Sequence, residues 1–280
     1  VMHATLLHAA RRRLSEVTGA AAQCLGLLQQ DRQFFVAPSM LQRTDATVML
    51  GHANRHALKT FIEALVKDRY AILDDTVPKE LIPALRRELQ DLRKVGTLRS
   101  DPHDLCNPGN ISGYLPLQTA ALRASLSERC PLLSCVCARL MALPTLLQTL
   151  LPEALPTNSL SVPMTVLASC YPKGAYYKEH LDNYGGPGDV PRKLTLILYC
   201  NSSAPRGGQL RLQPPGAARS AKLDIAPVGG RLVAFFADEV WHEVLPSEEA
   251  ERYALTLWVF DREQAEQLGS RGCEEHVGDL

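Results

Sequence analysis

The sequence predicts an α+β protein: an antiparallel jelly roll core with supporting helices on one face. Three observations carry this. Short runs rich in Leu, β-branched and aromatic residues recur through residues 164–260, as the strands of a sandwich or jelly roll do. Turn formers separate the runs: Gly185-Gly186-Pro187-Gly188, Gly207-Gly208, Pro214-Pro215-Gly216 and Gly229-Gly230. Residues before 164 instead repeat apolar side chains at helical spacing, so helices precede strands and pack on one outer face of the sheet.

Taken in chain order, residues 3–31 are rich in Ala, Leu and Gln and lack proline, which predicts one or two helices. Residues 32–53 are irregular and polar, a linker. From Asn54, the positions Leu58, Phe61, Ile62, Leu65 and Val66 form one apolar stripe on a helix. Tyr70–Leu73 reads as a short strand ending at Asp74-Asp75. Thr76 is placed to cap the next helix, whose stripe is Leu81, Ile82, Leu85, Leu89 and Leu92, with Gly96 past its end. Residues 97–116 carry Pro and Gly throughout and predict a loop. Leu117–Arg129 and Leu132–Leu151 predict helices, the second open to a break at Pro144. The strand candidates are Met164–Cys170, Tyr176–Leu181, Lys193–Cys200, Gln209–Gln213, Lys222–Ile225, Arg231–Phe236 and Tyr253–Phe260. A short helix is expected near Arg262–Leu268. The organisation that follows is a helical extension and linker at 1–53, one domain at 54–263 and a tail at 264–280.

Lys and Arg number 30, as do Asp and Glu, so no global field favours nucleic acid or a membrane surface. Between Tyr171 and Lys222, however, eight basic residues face three acidic ones, a bias that suits either an anionic ligand or a solvated face. The 8 cysteines form no C-x-x-C pair and no zinc-site spacing. Several sit in apolar runs and read as buried free thiols of a reducing compartment. Neither a secretory signal nor an apolar stretch long enough to span a bilayer is expected.

The chemistry concentrates after Cys170. His180 and Asp182 are separated by one residue in a run that reads as extended, and a strand turns residues i and i+2 to one face. His242 follows just after an apolar strand, and Arg252 opens another. Two imidazoles and one carboxylate, with the other coordination positions open, form the facial triad of non-haem Fe(II) and O2 chemistry. A 2-oxo acid can chelate such an ion through its keto and carboxylate oxygens, and its far carboxylate then needs a fixed cation. Arg252 offers a planar fork for that task; an ion pair with Glu251 or Glu248 is the alternative. Tyr199 shares a face with Thr195 and Ile197, where its phenol can donate to the same carboxylate or simply pack the core. Thr256 and Trp258 share a face with Arg252, and a tryptophan wall there excludes water or fills space.

These residues carry a resemblance. The stretch from about Arg69 to Glu263 resembles the cytoplasmic oxygen-sensing prolyl 4-hydroxylases, the group that includes the hydroxylases of hypoxia-inducible factor α. The family's Tyr-Pro, glycine loop and Tyr-x-x-His-x-Asp-Asn correspond to Tyr171-Pro172, Lys173-Gly174-Ala175 and Tyr177-Lys178-Glu179-His180-Leu181-Asp182-Asn183. Its Tyr-Leu-Asn strand end corresponds to Tyr199-Cys200-Asn201, and its Gly-Gly-x-Leu-Arg to Gly207-Gly208-Gln209-Leu210-Arg211. Its His-Glu-Val and Arg-Tyr-Ala-x-Thr-x-Trp correspond to His242-Glu243-Val244 and Arg252-Tyr253-Ala254-Leu255-Thr256-Leu257-Trp258. The glycine loop is one residue shorter than in the animal enzymes, the His242–Arg252 spacing is one longer, and residues 97–116 do not resemble their substrate-covering loop.

The resemblance implies a double-stranded β-helix and makes residues 54–263 an Fe(II)/2-oxoglutarate dioxygenase catalytic domain of the peptidyl-proline 4-dioxygenase class. It implies that His180, Asp182 and His242 bind Fe(II), and that Arg252 and Tyr199 hold the 2-oxoglutarate carboxylate. Tyr171, Leu210, Val244, Thr256 and Trp258 would line that pocket, with Arg192 and Tyr177 toward the peptide substrate. It further implies O2 as co-substrate, ascorbate as reductant, and a cytoplasmic or nuclear location. The partner would be a protein with a target proline, such as the adaptor subunit of SCF ubiquitin ligases; homo-oligomers stay open. The alternatives are the same chemistry on another residue or a small molecule, and a catalytically silent binding module.

Overall fold

Strand β7 (Arg192–Tyr199) sets Leu194, Leu196 and Leu198 on one face and Thr195, Ile197 and Tyr199 on the other. Strand β12 (Arg252–Asp261) sets Tyr253, Leu255, Leu257 and Val259 against Arg252, Ala254, Thr256 and Trp258. Strands apolar on both faces must be covered on both sides. The computed structural model, which describes residues 55–267 apart from 157–158, 187–188, 204, 217–220 and 249–250, shows what covers them.

The chain runs α1 (Arg55–Asp68), β1 (Tyr70–Leu73), α2 (Ile82–Lys94), β2 (Arg99–Ser100), β3 (Ile111–Pro116), α3 (Ala120–Arg129) and α4 (Pro131–Leu150). It continues with β4 (Leu160–Ser161), β5 (Thr165–Tyr171), β6 (Tyr177–His180), β7, β8 (Leu210–Gln213) and β9 (Leu223–Ile225). Then come β10 (Leu232–Phe236), β11 (Trp241–Val244), β12 and α5 (Arg262–Gln267). Among the described residues, one antiparallel sheet of 8 strands has the order β1-β10-β7-β12-β5-β3-β2, with β4 also on β12; a second of 4 strands has the order β6-β11-β8-β9. This is the double-stranded β-helix with helical support.

Two cores lie on opposite sides of the larger sheet. On one, Phe61 and Leu65 of α1, Leu85 and Leu89 of α2 and Leu133 and Leu140 of α4 pack against the leucine faces of β7 and β12. On the other, Tyr171, Ile197, Tyr199, Phe235 and Ala254 meet Leu210, Leu212 and Val244 of the smaller sheet. The functional side chains sit in this second, inter-sheet space.

Several expectations need correction. Residues 97–116 are not all loop: β3 pairs along β5 from Ile111↔Cys170 to Pro116↔Thr165. Its Gly113 is there for closeness, since a Cβ would lie 2.3 Å from the Thr97 carbonyl oxygen, and Pro116 ends the strand. Thr76 does not cap α2, whose N-cap residue is Leu81; its buried hydroxyl donates instead to the Gly230 carbonyl at 2.8 Å. Helix α4 continues through Pro144. The proline withholds one backbone bond, but Leu140, Leu143 and Leu147 are buried around it. The same helix overturns the expectation that no long apolar stretch exists, because Pro131–Gln148 is long and apolar enough to cross a membrane. Its Leu133, Cys137, Leu140 and Leu147 are buried in the helix–sheet core. His242 follows the apolar strand β10, as expected, and itself lies near the start of a further short strand, β11. The short helix expected near Arg262–Leu268 is present as α5. The expected helices of residues 3–31, the linker at 32–53 and the tail beyond 267 lie outside the described residues.

Helix α4 begins without a side-chain cap of its own. Glu88 of α2 substitutes: its two carboxylate oxygens accept the N–H groups of Leu132 at 3.2 Å and Leu133 at 2.7 Å, where the free donors and the positive end of the helix lie. Glu88→Ala is expected to lower stability by about 1–2 kcal/mol, seen as a lower urea midpoint at unchanged slope.

Candidate active site

Strands β6 and β11 are neighbours, and the pairing places His180 directly beside His242. Their rings are 4.2 Å apart. Phe235 packs against His242 at 4.6 Å and Tyr177 stacks on His180 at 4.0 Å. Strand β6 ends at His180, so Asp182 is presented by the segment beyond the strand. Asn183 pins that segment: its N–H donates to the Ala237 carbonyl at 3.2 Å. Its side-chain amide donates to the Arg192 carbonyl at 3.0 Å and its amide oxygen accepts from the Gly185 N–H at 2.8 Å.

The three ligating groups converge. His180 Nε2 is 3.7 Å from Asp182 Oδ1, and His242 Nε2 is 3.6 Å from Asp182 Oδ2; one ligand atom from each residue lies within 4.8 Å of the others. His180 Nδ1 faces the Lys178 carbonyl at 2.8 Å and His242 Nδ1 faces the Val240 carbonyl at 3.2 Å. A proton on each Nδ1 donates to its carbonyl and leaves both Nε2 lone pairs turned inward, as metal-binding histidines require. This donor set fits a divalent iron ion with positions left open.

Electrostatics prepare the same state. Burial pushes the His242 imidazole down to about 4, with the neighbouring Asp182 charge opposing that shift, so the ring is neutral at pH 7. Burial also works against the Asp182 charge, but His242, His180 and Arg192 outweigh it and hold the carboxyl below the usual range. Thr195 Oγ1 donates to Asp182 Oδ2 at 2.6 Å and Trp258 Nε1 donates to the same oxygen at 3.0 Å.

Arg252 is 2% exposed. Its Nε donates to the Gly208 carbonyl at 2.9 Å and its Nη2 to the Tyr199 hydroxyl at 3.3 Å. The guanidinium lies 4.9 Å from the ring centres of both Tyr171 and Tyr199. Among the described residues no carboxylate pairs with it. Glu251 is taken by Arg93, Arg86 and the Tyr253 hydroxyl on the helix side of the sheet. Gly208 reaches Arg252 through a left-handed turn, φ +71 at Gly207 and +66 at Gly208.

The structure therefore gathers His180, Asp182 and His242 at one point and sets Arg252 with Tyr199 and Tyr171 in the same inter-sheet core. Leu210 and Val244 are buried in that core. Thr256 is buried, and Trp258 reaches the metal carboxylate itself. Arg192 stacks over Trp258 at 4.1 Å with Nη1 3.4 Å from Asp182 Oδ1. Part of the local basic excess is neutralised: Lys222 pairs with Glu179 and Glu243, Arg211 with Asp224, and Lys193 with Asp238. Sequence reasoning missed the bonds of Thr195, Trp258, Asn183 and the Gly208 carbonyl; signals existed in the face that Thr195 shares with Tyr199 and in the motifs that contain Asn183 and Gly208, but none of them names the bonding partner.

An unfolded histidine takes up its proton near pH 6.5, whereas folded His242 does so only at about 4. The unfolded chain thus binds more protons in that window, and stability falls as pH drops through it. For the metal-free protein the urea midpoint is expected to decline from about pH 7 to about pH 5, less steeply in His242→Gln; equal slopes would remove His242 as the source.

Comparison with known proteins agrees with this geometry. Residues 166–260 match the model of the 2OG-Fe(II) oxygenase superfamily. Mouse prolyl hydroxylase EGLN3 is 41% identical over 103 residues, which is 35% of this chain and 41% of that protein. The chain thus spans about two fifths of the length of such curated relatives. Among solved structures, a prolyl-4-hydroxylase of Pseudomonas putida is 27% identical with a TM-score of 0.56, covering 73% of this chain and 99% of its own. A Trichoplax adhaerens prolyl hydroxylase, solved with a hypoxia-inducible factor oxygen degradation domain peptide, shares the fold at 21% identity and a TM-score of 0.60, covering 81% of this chain and 98% of its own. The likeness to the 2OG-Fe(II) oxygenase superfamily thus lies in residues 166–260, the stretch that holds His180, Asp182, His242 and Arg252.

Proposed function

We propose that this protein is an Fe(II)- and 2-oxoglutarate-dependent dioxygenase that hydroxylates a prolyl residue of another protein at C4. The observation that carries the reading is Arg252: a buried guanidinium that no carboxylate among the described residues pairs with, set in the core that also holds the His-Asp-His cluster. Burying an unpaired charge is costly, so an anionic ligand is the natural complement. His180, Asp182 and His242 would hold the ferrous ion, and Arg252 with Tyr199 would grip the far carboxylate of 2-oxoglutarate, a five-carbon diacid.

A ferrous ion with O2 and 2-oxoglutarate supplies an oxidant able to hydroxylate an unactivated C–H bond, releasing succinate and CO2. The chain's own groups bind and orient. Arg252 and the Tyr199 hydroxyl fix the diacid at one end. Tyr171, Leu210, Val244 and Thr256 surround it with surface that excludes water. Tyr177 and Arg192 lie beside His180 and Asp182, where they would face the peptide. The step would report oxygen supply in the cytoplasm or nucleus, with ascorbate keeping the iron ferrous. The SCF ubiquitin-ligase adaptor is the first substrate to test, because residues 97–116 depart from the substrate-covering loop of the animal enzymes.

Incubation with Fe(II), 2-oxoglutarate, ascorbate and peptides from the ligase adaptor and from hypoxia-inducible factor α should form succinate and add one oxygen atom to a proline. Succinate formation without peptide modification would redirect the reading to another substrate. Asp182→Ala and His242→Ala should abolish turnover with loss of iron; full activity in either would refute the ligand assignment. Arg252→Lys replaces a fork by a point charge and should raise the 2-oxoglutarate KM roughly tenfold or more.

A further inference from the structure

The carboxylate of Asp182 is not symmetrically held. Oδ2 accepts from Thr195 Oγ1 at 2.6 Å and from Trp258 Nε1 at 3.0 Å. A carboxylate oxygen has about two acceptor sites, so both of those on Oδ2 are filled. Each oxygen faces one histidine, Oδ1 the His180 Nε2 at 3.7 Å and Oδ2 the His242 Nε2 at 3.6 Å, but among the described residues Oδ1 accepts only the long contact from Arg192 Nη1 at 3.4 Å.

The two donors are cross-strand partners. Trp258 of β12 is paired directly with Thr195 of β7, and directly opposed side chains on one face stand about 5 Å apart, close enough to reach one oxygen. Thr195 is 1% exposed. The Trp258 ring is held between Arg192 at 4.1 Å and Tyr114 at 6.4 Å. Both donors belong to the rigid centre of the larger sheet, whereas Asp182 sits on a connecting segment beyond the end of β6.

Building on the metal-centre reading above, we infer that Thr195 and Trp258 are positioning residues that occupy Oδ2 and turn Oδ1 to the metal as the single ligating oxygen. A carboxylate fixed in this way takes one coordination position and leaves the others for co-substrate and O2. Without the two donors the carboxylate is free to rotate or to bind through both oxygens.

The test is anaerobic titration with Mn(II) alone, read by loss of the free-ion electron paramagnetic resonance signal, with thermal melts to establish that each variant is folded. Thr195→Val is isosteric and keeps the strand preference, and should weaken Mn(II) binding about tenfold or more. Thr195→Ser restores the hydroxyl and should bind within about twofold of the parent protein. Trp258→Phe, which keeps the stacking surface and removes the N–H, should weaken binding as Thr195→Val does. Parent-like affinity in Thr195→Val and Trp258→Phe would overturn the inference while leaving the metal centre in place. Equal losses in Thr195→Ser and Thr195→Val would also overturn it, because packing rather than the hydroxyl would then be responsible. Absence of Mn(II) binding by the parent protein would overturn the metal centre and the inference together.

Discussion

The site depends on one constraint, the two-residue pleat of β7 and β12. Each strand sends leucines to the helices and, at every second position, a different set to the space between the sheets. Arg252, Thr256 and Trp258 cannot avoid facing Thr195, Ile197 and Tyr199, since antiparallel neighbours share faces when their registers match. A slip of one residue would bury Glu251 and Tyr253 in the site and send Arg252 into the leucine core.

That constraint also sorts the charges. Glu251 and Arg252 are adjacent in sequence yet point to opposite sides of the sheet. Glu251 is neutralised among Arg86, Arg93 and Tyr253, so among the described residues no carboxylate compensates Arg252 on the other side. The Asp182 charge, in contrast, is supported by two hydrogen-bond donors and a guanidinium. One buried cation has no carboxylate partner among the described residues, and one buried anion stands beside two imidazoles. The pair of conditions suits a metal ion and an anionic ligand bound in one inter-sheet space.

The smaller sheet contributes what the larger cannot. Its β6–β11 pairing brings two histidines from distant parts of the chain into contact, and backbone carbonyls two residues before each histidine select the tautomer. The left-handed Gly207-Gly208 turn supplies the carbonyl that orients Arg252. At Gly207 a Cβ would lie 2.3 Å from the Pro246 carbonyl oxygen, so the close approach of these two segments requires glycine.

Much of this was legible beforehand, for identifiable reasons. Alternation in 193–200 and 253–260 and the glycine turns between strands are local properties, so strand existence and inward-facing sets could be read from the chain. His180, Asp182, His242 and Arg252 stood out because their chemistry is specific in combination. Local signals misled at residues 111–116, where Gly113 and Pro116 look like turn residues but serve a strand whose pairing partner, β5, lies far along the chain. They misled again at Pro144, where burial of the surrounding leucines outweighs one missing hydrogen bond. By itself the sequence determined which residues share a face and which chemistry they can perform, because both follow from side-chain type and a two-residue period. Only the tertiary structure decided that His180 pairs with His242, that Arg86 and Arg93 reach Glu251, and that Thr195 and Trp258 meet on one oxygen of Asp182. Those are long-range hydrogen-bond and ion-pair choices, and nothing within a strand's own few residues specifies them.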